Sequence, residues 1–230
     1  MFFDEDEAFS IIDELHSLNI NDFLNDQFMV KYYLENKLFG INDYLENGET
    51  LLIYATSMCD EDYVKMLLEF NPDVEIKSKR YGTSALLRSC HESNINIVKL
   101  LLTHNANINT INIYGITPLM SACSSNNISV VELLLDNGAD IEFKDNEGNT
   151  ALMYATELSS YNIVKLLLAH DANINTTNDS GLNPLISSVI HFNPGSVKAL
   201  VEYGVDEKIK REALKLSKKY EYDIITNMLR

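Results

Sequence analysis

Two landmarks recur along this chain at one interval, and that interval constrains the fold more than any other feature. A phrase of the form Val-x-x-Leu opens at Val64, Val98, Val131, Val164 and Val197, with separations of 34, 33, 33 and 33 residues. Gly48, Gly82, Gly115, Gly148 and Gly181 keep the same steps. A unit of that size cannot bury a core alone, so the copies must stack along an axis, each completing its neighbour. The 230 residues are therefore expected to form one elongated domain.

Within each unit the residue types spell out a short helix, a turn and a second helix. Two residues after each Gly stands Thr50, Ser84, Thr117, Thr150 or Asn183. Each can accept a hydrogen bond from the free N–H groups of a first helical turn, so each is expected to be an N-cap. Pro118 and Pro184 follow two of them, at the one helical position that tolerates Pro. Leu52, Leu86, Leu119, Leu152 and Leu185 come next, with Ala55, Ser89, Ala122, Ala155 and Ser188 three residues on. That spacing makes one apolar stripe with small side chains, which lets neighbouring helices approach. The Val-x-x-Leu phrase is the second helix, and it stops at Asn71, Asn105, Gly138, Asp171 and Gly204. These residue types tolerate the left-handed conformation that a sharp helix stop requires. The alternating apolar and polar stretch from there to the next Gly predicts an extended arm folded back at its tip.

On these residues the unit resembles the ankyrin repeat, whose motif runs Asp-x-x-Gly-x-Thr-Pro-Leu-His-x-Ala, then Val-x-x-Leu-Leu, then Gly-Ala-Asp. Residues 112–123 and 130–141 carry the resemblance best, and it extends over about residues 46–205. It implies an all-α repeat solenoid of stacked helix–turn–helix units with short β-hairpin-like arms. One departure is systematic, since the motif His is replaced by Ile53, Leu87, Met120, Met153 and Ile186. In the family that His ties arm to helix, so local hydrogen bonding there must be arranged differently. The expected organisation is a degenerate N-terminal capping repeat over 1–45, then five repeats at about 46–78, 79–111, 112–144, 145–177 and 178–205. A C-terminal capping repeat over 206–230 completes it. Val30, 34 residues before Val64, marks residues 25–36 as the second helix of the leading cap, and 5–18 reads as its first helix.

Charge narrows the class of partner. The formal net charge is −16. Residues 1–47 hold 11 acids and 2 bases, while residues 206–230 hold 5 acids and 7 bases. An acidic body repels phosphate backbones and anionic lipid, so neither nucleic acid nor membrane is expected as a partner. No apolar run reaches membrane-spanning length, and the acidic amino terminus does not resemble a secretory signal. Three cysteines make no disulfide framework, and Cys90 and Cys123 share one register, as buried small hydrophobes would. A reducing intracellular setting, cytoplasmic for example, and a monomer are expected.

Chemistry is scarce. There is no phosphate loop, no Gly-x-Ser-x-Gly and no His-Glu-x-x-His, so no catalytic residue, cofactor or metal is expected. His104 and His170 fall at equivalent helix ends, where a His favours the nearby carbonyls. An enzyme built on Cys90 and His91 would need the thiol out of its packing register.

What remains is binding to an unidentified protein partner. The resemblance implies that contacts come from the arm tips and the exposed edge of the first helices, which line a concave face. Carried over by position, the candidates are Arg80, Tyr81, Ile113, Tyr114, Ile116, Asn146, Glu147 and Asp179 on the tips, with His91, Glu157 and Leu158 on the helix edge. Tyr81, Ile113 and Tyr114 stand out as apolar anchors at expected solvent-facing positions. Tip-to-tip packing along the row is the competing account of them. Lys77, Lys79, Arg80 and Arg88 form the only basic cluster of the middle chain. They would hold an acidic segment or offset neighbouring acids. An alternative function is an acidic inhibitor or mimic that blocks a basic surface through the leading cap. By analogy, ankyrin proteins of this Asn- and Ile-rich composition occur in large DNA viruses and intracellular bacteria, where they engage host proteins.

Overall fold

The hydroxyl or amide two residues after each tip Gly starts a helix, as the residue types require. In the computed structural model, which describes residues 24–157 and 160–230, Thr50, Ser84, Thr117 and Asn183 accept the N–H of the residue three positions on. Thr150 departs from the expectation. It is buried, its hydroxyl has no partner among the described residues, and nothing in the structure explains it.

The resulting first helices are α2 (Leu51–Ser57), α4 (Ala85–His91), α6 (Pro118–Ser124), α8 (Ala151–Glu157), α10 (Pro184–Ile190) and α12 (Glu207–Lys219). The second helices are α1 (Gln27–Glu35), α3 (Glu61–Leu68), α5 (Ile95–Thr103), α7 (Ile128–Asp136), α9 (Tyr161–Ala169), α11 (Pro194–Tyr203) and α13 (Asp223–Met228). Each first helix packs on the next first helix, and each second helix on the next second helix, so the thirteen described helices form two parallel layers. The core runs between the layers. Val64, Val98, Val131, Val164 and Val197 have no exposed surface, and neither do Ala55, Ser89, Ala122, Ala155 and Ser188. The serines are buried without loss, because Ser89 Oγ donates to Leu86 O and Ser188 Oγ to Pro184 O. α1 and the pair α12–α13 lie where the sequence puts capping helices; residues 5–18 lie outside the described residues.

Both helix ends of a unit turn through the left-handed region. Asn71, Asn105, Gly138, Asp171 and Gly204 all have positive φ, as expected. A second series was not anticipated: Cys59, Ser93, Asn126 and Phe192 also have positive φ, at the end of the first helix. The residue after each is Asp60, Asn94, Asn127 or Asn193. The backbone N–H of all four closes the helix behind it, on Ala55 O, Ser89 O, Ala122 O and Ser188 O. The side chains of Asp60, Asn94 and Asn127 then cap the helix ahead. One residue thus serves two helix ends.

The arms contain no strand among the described residues beyond a single bridge, Tyr44 with Thr50. The reason is local. Asp73, Asn107, Asp140 and Asn173 each accept the N–H two residues on, which consumes donors a strand ladder would need. Neighbouring arms are joined by side chains instead: Asn42, Glu75, Asn109 and Glu142 accept the N–H groups of Asp73, Asn107, Asp140 and Asn173 in the next unit. The abundance of Asn therefore has a structural cause, which composition by itself does not reveal.

Candidate functional site

Each arm tip is a tight turn, and side-chain acceptors hold it. Asn112, Asp145 and Asn178 each take two tip N–H groups on one oxygen. Asp145 also binds the hydroxyl of Tyr154 on α8 at 2.8 Å. Of these, the Asp145–Tyr154 bond ties arm to helix in its unit, in place of the motif His. Its positions, Ile53, Leu87, Met120, Met153 and Ile186, are buried, and only at Met120 does sulfur accept the N-cap N–H, at 3.5 Å. Burial, and next the bond to Asp145, push the Tyr154 hydroxyl well above the usual phenol range.

The tips are linked into a row by backbone hydrogen bonds. Lys79 donates to Gly48 O, Ile113 to Tyr81 O, Asn146 to Tyr114 O and Asp179 to Glu147 O, at 2.8 to 3.1 Å. The tips do pack along the row, then, but through backbone, and the side chains of the central two still face outward. Tyr81 is 39% exposed, Ile113 55% and Tyr114 52%. The second tip is larger than the rest. Ser78 N–H reaches Thr83 O across five residues, where Leu45, Asn112, Asp145 and Asn178 reach across four. This extra residue is the source of the 34-residue step between Gly48 and Gly82, and it projects Arg80 and Tyr81.

The other candidates divide. Arg80, His91, Asn146, Glu147, Glu157 and Asp179 are exposed. Ile116 is half-buried, packing against the core on one side and lining the hollow beneath the tips on the other. Its neighbour Thr117 already caps α6, and the chain must turn inward there. Leu158 lies outside the described residues. Of the basic cluster, Arg88 pairs with Glu49 at 2.9 Å and Glu92 at 3.9 Å, and Lys77 donates to Ile111 O. Lys79 sits 4.4 Å above the Tyr44 ring. The cluster thus mostly offsets neighbouring groups. Arg80 remains outward, 4.8 Å over Tyr81, where it stiffens the aromatic anchor.

Below the tips lies a groove of about 260 Å³, walled by Leu87, Arg88, His91, Ile116, Ser124 and Tyr154. Arg88 and Tyr154, which the sequence did not single out as groove residues, share one register of the first helix. That shared register was the available signal. Along the row above the groove, side-chain character changes in order: cationic at Lys79 and Arg80, apolar at Ile113 and Tyr114, then acidic at Glu147 and Asp179.

Reactive groups do not converge. Cys90 and Cys123 are fully buried, and burial pushes both thiols far up, away from the nucleophilic thiolate. His91 is exposed on the next residue but faces solvent. His104 caps α5 with Nδ1 at 2.8 Å from Leu100 O, and His170 occupies the same place on α9. No group of three or more His, Cys, Asp or Glu suited to a metal occurs among the described residues. No described helix is long and apolar enough to cross a membrane.

Comparison with protein families bears on what such a row of tips is for. A family model described as ankyrin repeats (3 copies) matches the chain in four overlapping windows, residues 21–112, 72–145, 104–178 and 120–211.

Proposed function

The chain belongs to the ankyrin-repeat family, whose repeats generally mediate protein–protein interaction, and on that premise we propose that it is a non-catalytic module gripping a partner protein along its tips and first helices. The observation that carries this reading is the outward trio Tyr81, Ile113 and Tyr114 on two adjacent, backbone-tied tips. Large apolar side chains held rigidly at a solvent-facing edge lose little entropy on binding, and aromatic anchors of this kind dominate interface energetics. Arg80 and His91 flank the trio on one side, with Asn146, Glu147, Glu157 and Asp179 on the other. The partner segment that fits this order is acidic at one end, apolar in the middle and basic at the other.

The test is affinity capture from the native cell, comparing the wild-type chain with the Tyr81→Ala/Tyr114→Ala double variant. Neither ring fills the core, so the variant should melt like the wild type. Its affinity for the captured partner should fall by about thirtyfold or more, as expected for loss of roughly 2 kcal/mol at a hot spot. Unchanged capture by the double variant would remove the tips from the interface. Deleting residues 1–24 separates the alternative. If affinity and its salt sensitivity vanish with that acidic segment while the tip variant binds normally, the chain is an acidic blocker.

A further inference from the structure

The trailing end of the stack differs from every other step in it. Between α9 and α10 an arm occupies residues 170–183, but only Gly204, Val205 and Asp206 separate α11 from α12. No arm therefore covers α10 on its outer side. Ile186 is consequently less covered than Ile53, Leu87, Met120 and Met153, its counterparts in earlier units. The foot of the helix changes too: where earlier units place Ser57, His91, Ser124 and Glu157, this one places Ile190, 37% exposed.

What results is a groove of about 360 Å³ between α10 and α12, lined by Leu182, Ile186, Ile190, Lys215, Leu216 and Lys219. Ile186 and Ile190 lie one turn apart on α10, and Leu182, just before its N-cap, lines the same groove, so the three form one apolar floor. Just beyond Ile190, Phe192 lies 4.7 Å from the ring of Tyr222, which in turn lies 5.5 Å from Tyr220. Phe192 has φ +53, a conformation that bulky residues avoid, and its ring packs at a tilt against that of Tyr222.

The charge around this groove opposes that of the whole chain. Over Glu207–Lys219 six cations face two carboxylates, on a protein of net charge −16. Lys215 and Lys219 stand one turn apart on the wall, and among the described residues neither has a carboxylate within ion-pair distance. Glu212 is the single acid at the rim.

We propose that this trailing groove is a second docking site, separate from the tips that carry Tyr81 and Tyr114, that takes a short partner-protein segment whose apolar side chains are flanked by carboxylates. The floor buries the apolar side chains, while Lys215 and Lys219 pair with the carboxylates and turn basic segments away from the groove.

The experiment is a selection of displayed random dodecapeptides on the full-length protein, followed by fluorescence polarisation of the enriched sequences. Three baits are used: wild type, Lys215→Glu/Lys219→Glu, and Ile190→Ser, each with its thermal melt recorded. The enriched peptides should combine Leu, Ile or Phe with Asp or Glu. Their affinity should fall by about tenfold or more on each variant, while Tyr81→Ala/Tyr114→Ala binds them like the wild type. The proposal is overturned if no sequence is enriched, if the enriched sequences are basic, or if the groove variants bind them undiminished. It is equally overturned if the wild type self-associates in sedimentation and deleting residues 1–23 abolishes this, because the occupant would then be the acidic end of a second copy. Loss of binding only in the tip variant would assign the peptides to the first site and leave this groove empty of function.

Discussion

A methyl group added at Gly115 would meet two obstacles at once. The residue has φ +76, and a Cβ built there would lie 2.8 Å from the backbone nitrogen of Asn146 in the next tip. That nitrogen donates to Tyr114 O, so the clash falls on the bond joining two units. Gly138 has a similar φ of +82 but nothing within 4 Å of its would-be Cβ. Gly115→Ala should therefore destabilise the protein by more than Gly138→Ala, for which the left-handed penalty alone is about 1–2 kcal/mol. Urea melts of the two variants check this, and equal losses would show that tip-to-tip approach is not tight. Sequence periodicity marks both glycines as special. It cannot distinguish a glycine that needs only its φ from one that also needs the missing Cβ, because the second demand comes from the neighbouring unit.

At the level of the helix pair, the turn between first and second helices carries more of the fold than its sequence suggests. Asn127 closes α6 with its backbone N–H, caps α7 through Oδ1 to Val130 N–H at 3.1 Å, and reaches the previous unit through Nδ2 to Ser93 O. Ser160, in the same register before α9, makes no side-chain cap bond. Asn127→Ala should thus cost about 1–2 kcal/mol and Ser160→Ala much less, read from chemical denaturation midpoints. Comparable costs would mean that the side-chain bonds of Asn127 contribute little to the turn. Asp60, Asn94 and Asn127 each stand four residues before a repeat Val, so the capping signal was present in the sequence. It was obscured because Asn is frequent everywhere in this chain, and only hydrogen-bond partners separate a capping Asn from an arm or tip Asn. The arms are the converse case. Their alternating pattern looks like strand, yet the Asp or Asn at each arm's start captures the backbone donors first.

Taken whole, the molecule is a one-dimensional stack whose stability is summed over neighbouring interfaces, so its ends matter. The last two helices cover the apolar faces of α10 and α11, and Ala213, Ile225 and Leu229 are buried in doing so. Removing residues 206–230 should lower the thermal midpoint and produce soluble aggregates visible by light scattering. A truncated chain that stays monomeric with an unchanged midpoint would deprive these helices of a capping role. Repeat spacing, the stops of the second helices and core identity were legible in the sequence, because each depends on residue type at a fixed separation, and the same separation recurs in every copy. The surface was only partly legible. Tyr81, Ile113 and Tyr114 could be placed outward by position, whereas Ile116 is shared between core and groove because the chain re-enters the core at the cap of α6. The extra residue of the second tip was recorded in the sequence as a 34-residue step, but where it lies within the unit, and the uncovered flank of α10, were decided by the tertiary structure alone. A flank is exposed or buried by what the adjacent copy covers, and a single repeat, however clearly written, carries no record of that.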